Sequence, residues 1–194
     1  MNFSSLHIIR AEHSALAAML RSMRMMLRQG PGQERQRFFE VLRAMLFYVD
    51  EFPERLHHPK ESELLFPKVS RSSDEGAKAV FALEQQHESS QKMVRELQHL
   101  LLAWELLGET RRDAFALACE HFIDFYLRHM QMEEEEVLPL ARKHLSEPEW
   151  QALDAAFELN RDPLSSQGAI EPIYEALLSR IVNQAPAPIG LGER

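Results

Sequence analysis

The chain has 194 residues, of which 45% are apolar and 27% charged, enough for one domain with a substantial core. Its net charge of −8 argues against a nucleic-acid partner and against binding to anionic membranes. A single cysteine, Cys119, excludes an intrachain disulfide and a cluster of thiolate metal ligands. The first residues begin no long apolar stretch, so we expect neither a signal peptide nor a membrane span, and a cytoplasmic protein.

The spacing of apolar residues predicts an all-α protein. Long runs place them three and four positions apart, and the chain contains only 7 glycines. A first helix is expected over about residues 4–28 and a second over about residues 33–69. Within the second helix, Pro53 and Pro59 each remove an N–H and crowd the preceding turn, which predicts a kink or a restart.

Two further long helices complete the predicted architecture. Ser72 and Glu75 have the spacing of a capping box that opens the third helix, which ends near Gly108. Thr110 is the expected N-cap of the fourth helix. Because short connections make sequential helices antiparallel neighbours, we predict an antiparallel up-down four-helix bundle.

Short extra helices are expected after the bundle. Ser146 and Glu149 repeat the capping-box pattern at the start of one, and another fits residues 171–183. We therefore divide the chain into a bundle, residues 1–145, and a C-terminal helical extension with a tail, residues 146–194, packed on the same domain. The extension offers either a cap for the bundle or an interface, for example in a homodimer.

One pattern of chemically active residues occurs twice. His57 is followed four residues later by Glu61, and His129 four residues later by Glu133, with an offset of 72 for both types (129−57 and 133−61). Positions i and i+4 share one face of a helix, so each pair can meet one metal ion. Glu133 belongs to a run of glutamates, of which residues 134–136 are expected at the surface.

Another histidine precedes each copy. His13 lies 44 residues before His57, and His87 lies 42 residues before His129 (57−13 and 129−87). Both occupy positions in the apolar stripe of a predicted helix. Two packed hairpins would therefore collect four imidazoles and two carboxylates. The predicted metal ligands are His13, His57, Glu61, His87, His129 and Glu133.

These donors limit the metal and its chemistry. Imidazole and carboxylate groups suit iron, manganese or zinc, and a buried carboxylate needs a partner of this kind. Each glutamate can bridge two metal ions, while four imidazoles fill only part of the coordination shells. The remaining positions are open to a small ligand such as dioxygen, peroxide, nitric oxide or water.

The order of these motifs resembles the hemerythrin-like family, the His-His-Glu (HHE) cation-binding domain, over about residues 4–143. The resemblance is closest to bacterial members. It implies a four-helix bundle that holds two iron ions in a carboxylate-bridged di-iron centre, and oxygen binding or sensing of oxygen, nitric oxide or redox state. The matching segments are Glu12-His13, His57-His58-Pro59-Lys60-Glu61 with Leu65-Phe66-Pro67, Gln86-His87, and His129-Met130-Gln131-Met132-Glu133-Glu134 with Val137-Leu138-Pro139.

One departure from the family pattern concerns the third helix. Gln91 stands where oxygen-carrying members have a second histidine, one turn after His87. This difference argues against stable oxygen carriage and favours sensing or redox chemistry. On the second helix, His58 lies three residues before Glu61, which is also a same-face spacing, and competes with His57. The repeat offset selects His57.

Two other functions stay open. A ferritin-like di-iron enzyme, with peroxidase, oxidase or iron-handling activity, would use Glu-x-x-His pairs, and Glu54 with His57 and Glu84 with His87 have that spacing. A zinc-stabilised interaction module would need the metal only to hold the bundle together. The repeat favours the hemerythrin arrangement. Tyr126 lies one turn before His129, where it could be a partner of that ligand, but core packing is the favoured interpretation.

Overall fold

The computed structural model describes residues 3–165 and 172–192, and in these ranges every regular element is a helix. The prediction of an all-α protein is therefore confirmed. Four long helices form the bundle, and two shorter helices follow. The elements are α1 (Ser4–Gln29), α2 (residues 35–72), α3 (Asp74–Leu107), α4 (residues 112–144), α5 (Glu147–Phe157) and α6 (Pro172–Gln184).

The second helix is continuous through its prolines. The expected interruption at Pro53 takes the form of an eight-residue π-helical segment, so the helix widens and does not restart. A proline cannot donate to the carbonyl four residues earlier, and a wider turn relieves the clash with that carbonyl. The successive segments of α2 are Arg35–Val49 (α), Asp50–His57 (π), His58–Lys60 (α), Glu61–Leu65 (π) and Phe66–Ser72 (α).

The repeat in the sequence is also a repeat in the backbone. In α2 a π-helical segment begins at Glu61, and in α4 the equivalent segment, Glu133–Val137, begins at Glu133. Each is followed by α-helix with a proline in its first turn, Pro67 or Pro139. π-Helical turns are frequent at functional sites. In both copies, therefore, the glutamate at the start of the widened turn is a candidate functional residue.

Two predicted helix caps are wrong and one is confirmed. Ser73, not Ser72, accepts the N–H of Gly76 at 3.0 Å, because Ser72 still belongs to α2 and its hydroxyl donates within that helix. Thr110 lies inside a short 3-10 turn, so α4 begins without a side-chain cap. The backbone N–H of Ser146 donates to the carboxylate three residues later at 2.8 Å, as the predicted capping box requires.

The apolar core consists of two layers with polar side chains between them. Along α1, His13 lies between Ile9 of one layer and Leu16 of the other. Leu16, Leu42, Leu101, Trp104 and Phe122 are among the buried members of the first layer. Ile9, Phe66, Leu83, Val137 and Trp150 are among those of the second. This arrangement places a band of buried polar groups inside the bundle.

Both C-terminal helices pack on the bundle. The ring of Trp150 in α5 stacks on Phe3 at 4.3 Å, and Asp154 accepts the N–H of Ser5 at 2.8 Å. In α6, Ile181 is fully buried in the first apolar layer. The domain division at residue 145 stays a prediction, and residues 166–171, where the predicted loop ends and α6 was expected to begin, lie outside the described residues.

The lengths and compositions of the helices can be compared with those of membrane-spanning helices. Within residues 3–165 and 172–192, none of the helices combines the length and the apolar character that a membrane crossing requires. One of the long helices, α3 (Asp74–Leu107), has 34 residues and carries charged side chains along its length.

Candidate metal centre

All six predicted ligands meet in the polar band of the bundle, and a seventh side chain, His58, joins them. Each of these seven is at most 6% exposed. They form two groups whose candidate ligand atoms lie within 4.8 Å of one another. The His58 group comprises His58, Glu61, His87 and His129, and the His13 group comprises His13, His57, Glu61 and Glu133.

His57 and His58 are not alternatives, because each belongs to a different group. Successive residues of a helix project about 100° apart. One ring therefore packs beside His13, at a centroid distance of 5.2 Å, and the other stacks on His87 at 3.9 Å. The fifth imidazole thus comes from α2, whereas Gln91 on α3 is exposed. The signal that could have found His58 is its three-residue spacing to Glu61.

Glu61 is shared by the two groups. Its Oε1 atom lies 2.6 Å from Nε2 of His57, in the His13 group. Its Oε2 atom lies 3.5 Å from Nε2 of His87, in the His58 group. A carboxylate that presents one oxygen to each group has the orientation needed to bridge two cations.

Two histidines are oriented by carboxylates outside the groups. Nδ1 of His13 lies 2.9 Å from Oε1 of Glu134, and Nδ1 of His57 lies 2.6 Å from Oε2 of Glu12. In both pairs the imidazole N–H donates, which leaves Nε2 free to bind a metal. Glu134 was expected at the surface but is half-buried by this contact. No helical spacing pointed to Glu134, because it lies between the buried Glu133 and the exposed residues 135–136 of the same run.

Two further Nδ1 atoms, those of His129 and His87, are hydrogen-bonded to neutral groups. Nδ1 of His129 lies 2.9 Å from Oε1 of Gln86. Nδ1 of His87 lies 3.2 Å from the hydroxyl oxygen of Ser62, whose own hydrogen is donated to Glu84 at 2.9 Å. The imidazoles are therefore again the donors. Second partners of this kind fix the tautomer and the ring orientation of metal-binding histidines.

Tyr126 is buried, as core packing predicts, and its hydroxyl also has a polar role. Its hydroxyl donates to Oε1 of Glu54, and Oε2 of the same carboxylate lies 3.4 Å from Nδ1 of His58. Glu54 and Glu84, the acidic residues of the ferritin-like hypothesis, belong to neither group. Among the described residues they act as outer partners, so the geometry favours the hemerythrin arrangement.

The groups contain buried polar atoms that the protein itself does not satisfy. Almost all such atoms in proteins have a hydrogen-bond partner. Here a concentrated set makes no hydrogen bond of good geometry in the part of the chain that the structure describes, although Oε1 of Glu61 lies 2.6 Å from Nε2 of His57. The set includes Nε2 of His57, His87 and His129, and both carboxylate oxygens of Glu61 and Glu133. These converging nitrogen and oxygen atoms fit divalent or trivalent cations such as iron, manganese or zinc.

The imidazoles of the His58 group are held in the neutral form. Burial and the charge of His129 lower the pKa of His58 well below its ordinary value. Burial and neighbouring imidazoles also lower the pKa of His87. Burial lowers the pKa of His129 to about 4, although the charge of Glu133 opposes it. Because metal binding requires neutral imidazole, this group needs no loss of imidazole protons at neutral pH.

The His13 group instead shares protons between imidazoles and carboxylates. Burial opposes the charged form of His13, but the charge of Glu133, whose Oε2 lies 3.4 Å from Nε2 of His13, outweighs it and raises the pKa of His13 to about 9. Burial likewise opposes protonation of His57, whose pKa is raised well above its ordinary value by Glu61 and Glu12. A cation would replace these protons, so binding to this group is expected to release them.

A small cavity adjoins the two groups. Its volume is about 20 Å³, room for about one water-sized molecule. Apolar side chains form much of its wall, and two polar residues from beyond α5, Asn160 and Asp162, also reach it. The lining includes His13, His57, His58, His129, Leu16, Phe52, Leu56, Met130, Tyr48 and Tyr126.

Comparison with known proteins gives the family. A search of curated proteins found none that matches this chain. The hemerythrin HHE cation-binding domain, in contrast, matches residues 4–141 and so covers the whole bundle as far as the last part of α4. That span includes every member of both His/Glu groups. The chain therefore belongs to the hemerythrin HHE cation-binding domain family.

Proposed function

We propose that this protein holds two iron ions, one in each His/Glu group, and uses them to bind or sense dioxygen, nitric oxide or redox state. Glu61 carries the proposal, because its two oxygens face the two groups at 2.6 Å and 3.5 Å from their nearest imidazole nitrogens. A pair of independent structural metal sites would not require a shared carboxylate. The donors are nitrogen and oxygen, which suits iron and manganese as well as zinc.

The size of the cavity supports a small ligand. Pockets for organic ligands measure about 300–1,000 Å³, whereas this cavity has a volume of about 20 Å³. It therefore admits a molecule of two or three atoms and excludes an organic substrate. Bound iron would supply redox chemistry and open coordination positions there. Leu16, Phe52 and Met130 would keep bulk water away from such a ligand.

Metal content and the visible spectrum test this proposal together. Protein produced with iron and purified in air should contain about two irons per chain. It should also show near-ultraviolet absorption that bleaches on reduction and changes when azide or nitric oxide is added. Iron-free, colourless protein after anaerobic reconstitution with Fe(II) would overturn the iron assignment. Tight, redox-silent binding of Zn(II) would then favour the interaction-module hypothesis.

Single substitutions test the two groups separately. His58→Ala should weaken one ion, His13→Ala should weaken the other, and Glu61→Ala should weaken both. His121→Ala is the matched control, because His121 is an exposed histidine on α4. If His58→Ala and His13→Ala both keep two tightly bound irons, the ligand assignment is wrong even though the protein binds metal.

An enzymatic role makes a distinct prediction in the same preparation. Peroxidase or oxidase activity would appear as turnover of added hydrogen peroxide or dioxygen by the iron-loaded protein. Binding or sensing would appear as a spectral change without turnover. Variants at Glu54 and Glu84 test the ferritin-like ligand set. These residues lie outside both groups, so their loss should leave two irons bound.

A further inference from the structure

The segment that follows α5 buries polar side chains and exposes an apolar one, which is unusual for a surface loop. In residues 158–165, here called the cap segment, Leu159 is 70% exposed, whereas Asn160 and Asp162 are 4% and 3% exposed. Burial of apolar surface would favour the reverse. Arg161, between the two polar residues, has φ of 44°, a left-handed conformation that non-glycine residues rarely adopt. Specific polar contacts must therefore hold this backbone.

Asn160 makes its contacts with the outer partners of the metal groups. Its Nδ2 donates to Oε2 of Glu12 at 3.0 Å. The same Oε2 lies 2.6 Å from Nδ1 of His57. On the other side of the amide, Lys60 donates its ammonium N–H to Oδ1 of Asn160. The amide is thus held at both ends, and a chain of hydrogen bonds leads from the cap segment to a predicted metal ligand.

Other contacts dock the cap segment beside the same ring. Phe157, the last residue of α5, meets His57 edge to face at a centroid distance of 5.7 Å. Asp162 accepts the hydroxyl of Tyr48 at 2.7 Å, and both residues line the cavity beside the metal groups. The family match ends at residue 141, so these contacts come from a part of the chain outside the matched domain.

We propose that the cap segment is part of the metal centre and that Asn160 is a positioning residue, which holds Glu12 against His57. Glu12 then keeps the Nδ1 proton on His57 and its Nε2 directed at the His13 group. This inference rests on the proposed two-metal function. It adds that the affinity of the His13 group depends on a docked C-terminal extension. Among the described residues, Asn160 hydrogen-bonds to Glu12 and Lys60 and to no member of the His58 group.

The test is an anaerobic titration of the metal-free full chain with Fe(II), and with Co(II) as a spectroscopic probe. Asn160→Asp is the sharpest variant, because it keeps the size of the side chain and the acceptor for Lys60 but replaces the donor to Glu12 with an oxygen. Loss of an outer partner typically costs 10–100-fold in metal affinity. Because Asn160 acts through Glu12, we expect a loss of up to that size for one ion only, with the ligand-field bands of the other Co(II) unchanged.

Matched variants separate positioning from general damage. Leu159→Ala changes an exposed neighbour in the same segment and should leave both affinities unchanged. Asn160→Ala should weaken the same ion as Asn160→Asp. In a Glu12→Gln background, replacing Asn160 should cause little further loss, because the two residues act through one path. Circular dichroism and thermal unfolding show whether each variant is folded.

Three outcomes would overturn the proposal. They are unchanged affinity for both ions in folded Asn160→Asp, equal weakening of both ions, and full additivity of the Glu12 and Asn160 effects. These results differ from failure of the proposed function. If the proposed function fails, the wild-type protein itself does not bind two ions. This result is seen in the wild-type titration, before any variant is measured.

Discussion

Asp162 gives the pH dependence that can be worked out most directly. It is a buried carboxyl, and among the described residues its hydrogen-bond donors are a hydroxyl and a backbone N–H, neither of which is basic. It is 3% exposed and accepts the Tyr48 hydroxyl at 2.7 Å and the Leu164 N–H at 2.9 Å. Burial raises the pKa of Asp162 from 3.8 to about 6, although these two hydrogen bonds oppose the change, and the charge of Glu12 adds to it. We predict that Asp162→Asn removes this pH dependence.

The sign and the size follow from proton binding. The folded protein binds the Asp162 proton more tightly than the unfolded chain does. Asp162 therefore destabilises the folded state least below pH 3.8, where it is protonated in both states. Stability relative to the neutral amide then falls as the pH rises towards 6 and is constant above it. A difference of about two pH units corresponds to about 3 kcal/mol. Any change in hydrogen bonding that the amide causes adds a constant that does not vary with pH.

Urea unfolding of metal-free wild-type and Asp162→Asn protein between pH 4 and 7.5 measures this difference. The free energy of unfolding of the variant should rise relative to wild type across that range by up to about 3 kcal/mol. Titrating groups that do not interact with Asp162 are common to both proteins and cancel. Asp113→Asn, at an exposed position, controls for the loss of one negative charge. A constant difference, or one that falls with increasing pH, would refute the reasoning.

Three further substitutions have measurable outcomes. Tyr126→Phe leaves the buried Glu54 carboxylate without its hydroxyl donor, so urea unfolding should show a loss of about 1–3 kcal/mol. Leu16→Phe should fill the cavity, which weakens azide or nitric oxide binding in spectrophotometric titrations while the metal content is unchanged. Gly76→Ala places a methyl group 2.5 Å from the Val69 carbonyl oxygen, and this clash should lower the melting temperature, at a cost of about 1–3 kcal/mol.

The bundle was predictable because its signals are periodic. Apolar residues at helical spacing place His13 and His87 inside the core, and the constant offset of 72 relates His57 to His129. The backbone follows the same repeat. In each copy a π-helical turn begins at a glutamate, Glu61 in the first copy, and a proline follows at the same distance along the chain. Periodicity therefore predicts which face of each helix is buried.

The outer partners were not predictable in the same way. Asn160 and Glu134 lie in polar stretches that read as solvent-exposed, and neither belongs to a repeat. Tyr126 lies on an apolar stripe, where packing explains it equally well. Each obtains its role from a contact between distant parts of the chain: Asn160 meets Glu12 across 148 positions, and Tyr126 meets Glu54 across 72. Composition and helical spacing carry no information about such contacts.

His58 shows how a repeat can hide a difference between its copies. The offset of 72 relates His58 to Met130, a buried apolar residue that lines the cavity. At this position one copy therefore supplies an additional imidazole, and the other supplies an apolar side chain. As a result the His58 group has three imidazoles and one carboxylate, whereas the His13 group has two of each. Two cations held there would have unequal surroundings, so ligand binding and redox change should begin at one of them.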